Sequence, residues 1–338
     1  MRKATKQAIV TGIIGYLGVS SVASAALIVN AAQTIRQRVG VRVIQVASTS
    51  GTNAAPLFGT PAQQTTIFNM IDQVWAQAGI DIDIRFRPGT YNNTFALTGT
   101  AGANSPRPTG DLNTIRSNAT AAGGVIDPDP TVLNLFVTRI VPGFSQTSDN
   151  TSNGLAFIAG TGITFWAGPS LPAFAGGQDV LASVLAHEIG HNLGLSHIVE
   201  AQNLLQSGGS PNQGERLNAA QISTAKNISF SVVYGDSDLD KDVDFADLVI
   251  LAQNYNLSTA LGIAKGDFNR DGIANFADLV LLAQNYNFSL ATSAVMLAGP
   301  TGSFDEDWAA ALAIVPEPTT ATVFAIAATV ITCRRRVI

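Results

Sequence analysis

The sequence predicts an α/β (α+β) fold in two parts: a domain built on a mixed sheet with a chemistry-bearing helix, then a small α-helical module. Three observations predict it. Strand-like and helix-like segments alternate from Val39 to Trp166. The chain's three histidines, His187, His191 and His197, fall in one short stretch that begins in a helix. An Asp-rich loop that runs straight into a helix occurs twice, 31 residues apart.

Taken in order, residues 1–25 read as a secretory signal peptide. A basic start (Arg2, Lys3, Lys6) precedes the apolar run Ala8 to Val19 and the small-residue site Ala23-Ser24-Ala25. The first folded domain spans 26–230. Val39 to Val46 alternates Val and Ile with other residues, the period of a strand. Pro61 to Ala78 carries Ile67, Met70, Ile71, Val74 and Trp75 at helical spacing, and Gly79 closes it. Ile80 to Phe86 and Val132 to Val141 read as strands, and 88–130, rich in Gly, Asn, Thr and Pro, reads mostly as loop. Leu155 to Trp166 is strand-like, broken by Gly160 and Gly162. Asp179 is placed as N-cap of the next helix, and Leu217 to Asn227 as the domain's last helix.

Composition narrows the function classes. Among 338 residues, 46% are apolar and 13% charged, about half the roughly 25% of average soluble domains. A sizeable core can form. The two ends hold six basic residues and no acid, so the net charge of -5 becomes -11 over residues 26–318. An acidic body of this kind argues against nucleic acid as a partner. One cysteine, Cys333, excludes an internal disulfide framework and a thiolate zinc cluster.

The chemistry concentrates in His187-Glu188-Ile189-Gly190-His191-Asn192-Leu193-Gly194-Leu195-Ser196-His197. Residues four apart share a helix face, so His187 and His191 can meet one ion. Glu188 stands beside that ion, free to handle a proton. Gly194 can adopt the left-handed conformation that ends a helix, which lets the chain turn back and bring His197 in as third ligand. Three protein ligands leave a fourth position for water, the catalytic arrangement of zinc.

This H-E-x-x-H-x-x-G-x-x-H segment resembles the metzincin zinc metallopeptidases. The resemblance covers roughly 36–230 and implies a twisted sheet and two long helices. It also implies a cleft with one catalytic Zn2+ at its floor, and an edge strand, here around Leu155 to Trp166, that binds peptide in extended form. Glu188 would be general base and acid. Where the family has a methionine turn beneath the metal, this chain has Asn203-Leu204-Leu205-Gln206. Leu205 is close to Met in volume and keeps an apolar floor. Ser207 stands where some members carry a tyrosine.

Residues 231–292 hold the repeat. Oxygen-bearing side chains recur at loop positions 1, 3, 5, 9 and 12: Asp236, Asp238, Asp240, Asp244, Asp247, and then Asp267, Asn269, Asp271, Asn275, Asp278. Hard oxygen ligands at this spacing suit two Ca2+ ions. The pattern resembles dockerin type I modules, which implies a cohesin-like partner; a self-contained stabilising module is the other reading. Lys241 occupies the turn position where Gly272 sits in the second loop. A linker, 293–314, leads to 315–338. There Val315-Pro316-Glu317-Pro318, an uncharged apolar run to Cys333 and Arg334-Arg335-Arg336 resemble the PEP-CTERM sorting signals of Gram-negative bacteria. That resemblance implies an exosortase-type processing enzyme and transient membrane association.

Together these readings predict an exported zinc-dependent endopeptidase, extracellular or at the cell surface or outer envelope of a Gram-negative-type bacterium, acting on peptide or protein substrates. A second reading is a non-catalytic surface assembly or adhesion protein with a zinc-binding domain. Leu205 is its only support, and the intact Glu188 opposes it.

Overall fold

A computed structural model of the chain describes residues 27–100, 109–140, 153–167, 177–206, 214–258, 262–290 and 303–314. The expected signal peptide, the tail 315–338 and Ser207 lie outside these residues. Among the described residues, no helix is long and apolar enough to cross a membrane.

Strand β1 (Gln37–Ala47) is central and almost wholly buried. Helix α1 (Pro61–Trp75) starts on a capping box. Thr60 accepts from the Gln63 backbone, Gln63 accepts from that of Thr60, and Pro61 occupies the first turn. It closes through a 3-10 turn, Ala76–Ala78, into Gly79 at φ 67°. Then come β2 (Ile80–Phe86), β3 (Tyr91–Asn92), α2 (Thr94–Thr98) and α3 (Thr109–Ala122). Among its described residues, the stretch 88–130 is therefore not mostly loop. In α3, Leu112, Ile115 and Ala119 form a buried stripe that the surrounding Thr, Asn and Gly obscure in the sequence.

Strands β4 (Leu133–Val137), β5 (Asn153–Ala156) and β6 (Ile163–Trp166) complete the core of the sheet. Its order is β2-β1-β4-β6-β5, with only β5 antiparallel to its neighbour on this path. The sheet is mixed, as the element order predicts, and β5 is its edge. Helix α4 (Gly177–Asn192) packs against α1 and against β5 and β6. Asp179 lies in its first turn and is not its N-cap. Helix α5 (Ala219–Asn227) is capped by Asn218 and Gln221.

The chain then returns to the sheet. Strand β7 (Val232–Val233) pairs antiparallel with Gln37 and Arg38 of β1. The module that follows comprises β8 (Asp242–Val243), α6 (Phe245–Asn254), a 3-10 turn at Ile263–Lys265, α7 (Phe276–Ala283), β9 (Phe288–Ser289) and α8 (Phe304–Ile314). Its small core gathers Val243, Leu248, Leu251, Phe268, Leu279, Leu282 and Ala311. The stretch 293–314 is thus not simply a linker. Phe304, Trp308 and Ala311 form one apolar face on α8; Trp308 meets Tyr255 edge-on at 5.4 Å, and Phe304 meets Tyr286 at 5.2 Å.

The module is seated on the sheet. Alternation along β1 and β2 sends Val39, Val41, Val43, Ile80 and Ile82 into the core, and Arg38, Gly40, Arg42, Asp81, Asp83 and Arg85 to the opposite face. That polar face meets the second Asp-rich loop. Arg85 donates to the carbonyls of Asn269 (2.7 Å) and Arg270, and Arg38 to that of Phe268. Arg270 reaches back over Gly40, where a Cβ would collide with its guanidinium. It pairs with Asp127 at 3.2 Å and Asp83 at 3.7 Å. Tyr234 donates to Asp81 at 2.9 Å.

Candidate metal centre

Helix α4 delivers His187 and His191 one turn apart, and Gly194, at φ 86°, ends it. The Gly194 amide donates to His191 O and the Leu195 amide to Gly190 O. The reversed chain brings in His197, which is exposed and marks the open side of the site. The Nε2 atoms of His187 and His191 each lie 3.1 Å from His197 Nε2.

The proton positions test whether a cation fits. His187 Nδ1 lies 2.6 Å from Leu204 O, and His191 Nδ1 lies 2.7 Å from Leu195 O. A carbonyl only accepts, so each Nδ1 carries the hydrogen and each Nε2 presents a lone pair. His197 Nε2 can donate to only one of them. At least one pair of lone pairs then faces across 3.1 Å, which a cation between them relieves. Bonds of about 2.0–2.1 Å in tetrahedral array separate two nitrogens by about 3.3–3.4 Å, and the observed spacing falls within about 0.3 Å of that. Burial pushes the His187 imidazole down to about 4, and the neighbouring imidazoles add to this against the Leu204 bond. Burial also lowers that of His191. Both are held neutral, as metal ligands must be.

The turn at Asn203-Leu204-Leu205-Gln206 packs under the helix of the two histidines. Leu205 is fully buried, 3.1 Å from where a Cβ on Gly190 would stand, and its neighbour Leu204 supplies the carbonyl that orients His187. The turn is held by Ile198 N to Leu205 O at 3.0 Å and by Leu205 N to Asn203 Oδ1 at 2.9 Å. Glu188 is buried next to His187, with its side chain against Gly154 of the edge strand. Asn192, also fully buried, was not singled out from sequence. Its amide donates to Phe157 O and Gly162 O, tying α4 to the β5–β6 connection. An Asn directly after the second histidine was the available signal.

The Asp-rich loops bring together some of their expected ligands. Asp236, Asp238 and Asp247 each offer an oxygen within 4.8 Å of one another, as do Asp267, Asp271 and Asp278. Asp244 and Asn275 cap α6 and α7 through Ala246 N and Ala277 N, at 2.7 and 2.8 Å. Asp240 accepts from Asp242 N, and Asn269 bonds to Asp271. Asp242, not among the expected ligands, joins Asp244 and Asp247 in a further buried group. Burial raises the Asp236 carboxyl to about 7 and that of Asp247 to about 8. Crowded, desolvated carboxylates of this kind are what a divalent cation neutralises.

Lys241 takes the left-handed backbone at φ 78°, where Gly272 stands at φ 92°. A side chain there is strained, and its ammonium is engaged by Ile228 O and Ser231 O. If both loops take calcium, the first is expected to be the weaker site unless its extra aspartates compensate. Calorimetric titration giving equal or reversed affinities refutes that order.

No protein-family model matches the sequence, and no curated protein does. Among solved structures, the chain is similar to metalloproteinase-II from Bacteroides fragilis, at 14% identity and a TM-score of 0.34, over 60% of this chain and 56% of that one. It is similar to archaemetzincin from Methanopyrus kandleri, at 11% identity and a TM-score of 0.35, over 56% of this chain and 94% of that one. A zinc-dependent peptidase from Methanocorpusculum labreanum is similar at 11% identity and a TM-score of 0.34, over 55% of this chain and 98% of that one. The chain thus spans little more than half the length of the Bacteroides protein. These likenesses are distant, and the chemistry of the chain rests on its own site residues.

Proposed function

We propose that the protein is an exported zinc-dependent endopeptidase. The observation that carries this reading is the convergence of three imidazole Nε2 atoms, two with their Nδ1 hydrogens committed to carbonyls, at a helix that also carries the buried Glu188. His187, His191 and His197 would hold the ion. When bound, zinc supplies Lewis acidity, which brings the pKa of a water toward about 7 and polarises a carbonyl.

The chain's residues do the rest. Glu188 takes the proton from the attacking water and returns it to the departing amine. The Leu204 and Leu195 carbonyls keep the imidazoles in the ligating tautomer. Strand β5, the end of the sheet among the described residues, supports an extended peptide added as a further strand. The seating of the second Asp-rich loop on β1 and β2 supports a calcium-binding stabilising module over one that offers that loop to a cohesin-like partner. Export by the signal at 1–25, and sorting by an exosortase-type enzyme at the tail, complete the proposal.

Cleavage profiling of a peptide library by the zinc-loaded protein tests it. Expected is internal cleavage, abolished by a chelator and restored by added zinc. A protein that binds zinc and cuts nothing would return the reading to a surface assembly role.

A further inference from the structure

Gly154 lies on the edge strand β5, paired with Phe165 of β6. Its backbone is outside the left-handed region occupied by glycines such as Gly162 and Gly194. Conformation therefore does not require glycine here. Space does. A Cβ at this position would stand less than 3.0 Å from Cγ, Cδ and Oε1 of Glu188, closer than real Cβ atoms come. The volume an alanine methyl would fill is taken by the carboxylate arm. Glu188 is buried, and α4 is tied to the β5–β6 connection by Asn192 and by Ala159 N to His191 O at 2.9 Å. The shift that a methyl demands therefore falls on the flexible arm of Glu188.

We propose that Gly154 is a positioning residue: by lacking a side chain it admits the carboxylate arm of Glu188, the residue that follows the first histidine, to its place against the edge strand. This rests on the peptidase reading for its catalytic consequence, and not for the contact itself. A methyl group at 154 must drive the arm back by about 1 Å to restore ordinary contact. A displacement of that size costs on the order of 10²-fold when the moved group handles a proton. The three atoms nearest the new methyl all belong to Glu188 and none to a histidine, so zinc binding should persist. The loss should therefore fall on kcat, with KM little changed.

The test uses the full chain and two cycles. Gly154→Ala is expected to keep wild-type zinc stoichiometry, lower kcat by about 30- to 100-fold and leave KM little changed. Combined with Glu188→Asp, whose shorter arm retreats from the methyl, it should cost several-fold less than it does beside Glu188. The second cycle needs no activity. Gly154→Ala should lower Tm beside Glu188 and leave Tm unchanged in the Glu188→Ala background, where the clash is gone. Equal Tm effects in both backgrounds, or a Gly154→Ala protein with wild-type kcat, overturn the assignment. If the wild type cuts no peptide, the peptidase reading fails, and the Tm cycle still decides the contact.

Discussion

Replacing Glu188 by Ala is expected to leave zinc at full stoichiometry while peptide hydrolysis falls by at least about 10²- to 10⁴-fold, the usual worth of a positioned general base and acid. The expectation follows from the division of labour in the site. His187, His191 and His197 converge through their ring nitrogens, and the two Nδ1 bonds that orient them run to backbone carbonyls. None of these depends on the Glu188 side chain. Glu188→Gln is the sharper variant, because it keeps the shape that sits against Gly154 and removes only the basicity. Metal analysis of each purified variant, followed by initial rates at saturating zinc, checks the prediction. Activity within a factor of a few of wild type would remove Glu188 from the chemistry, and loss of zinc would make it a structural element of the metal site.

The second large effect is on stability. Leu205→Ala should cost about 2–5 kcal/mol, since it opens a cavity in a fully buried floor between Gly190 and the turn. At about 2–4 °C per kcal/mol for a domain of this size, the fall in Tm is readily measured by calorimetry. Leu205→Met conserves volume and should cost less than about 1.5 kcal/mol. Leu204 O orients His187, so the alanine variant should also bind zinc more weakly. If alanine proves as mild as methionine, the turn is not held by packing, and its role beneath the histidines has to be abandoned.

The metal centre was legible because its geometry is local. Four-residue spacing on a helix and one left-handed glycine bring the three histidines together, and both are written in consecutive residues. The strands β1 and β2 and the helix α1 were legible for the same reason, each carrying its own period and cap. Helix α3 was not, because its stripe of Leu112, Ile115 and Ala119 is thin and its remaining residues favour turns. The requirement at Gly154 was invisible in the sequence. It arises where β5 crosses α4, between residues distant in the chain. Alternation in β1 showed that Arg38, Gly40 and Arg42 share a face, and the ordinary inference is that such a face meets water. Its actual neighbour is a loop more than two hundred residues further on.

That arrangement governs how the molecule can be divided. A fragment ending at residue 230 discards the pair of residues that hydrogen-bond to Gln37 and Arg38. It also removes the carbonyl acceptors of two guanidinium groups, on Arg38 and Arg85, and leaves them their pairing with Asp83. Bared of those acceptors, the sheet would present a charged, notched flank shaped to receive something no longer attached. Such a fragment is an amputated body and not a minimal enzyme.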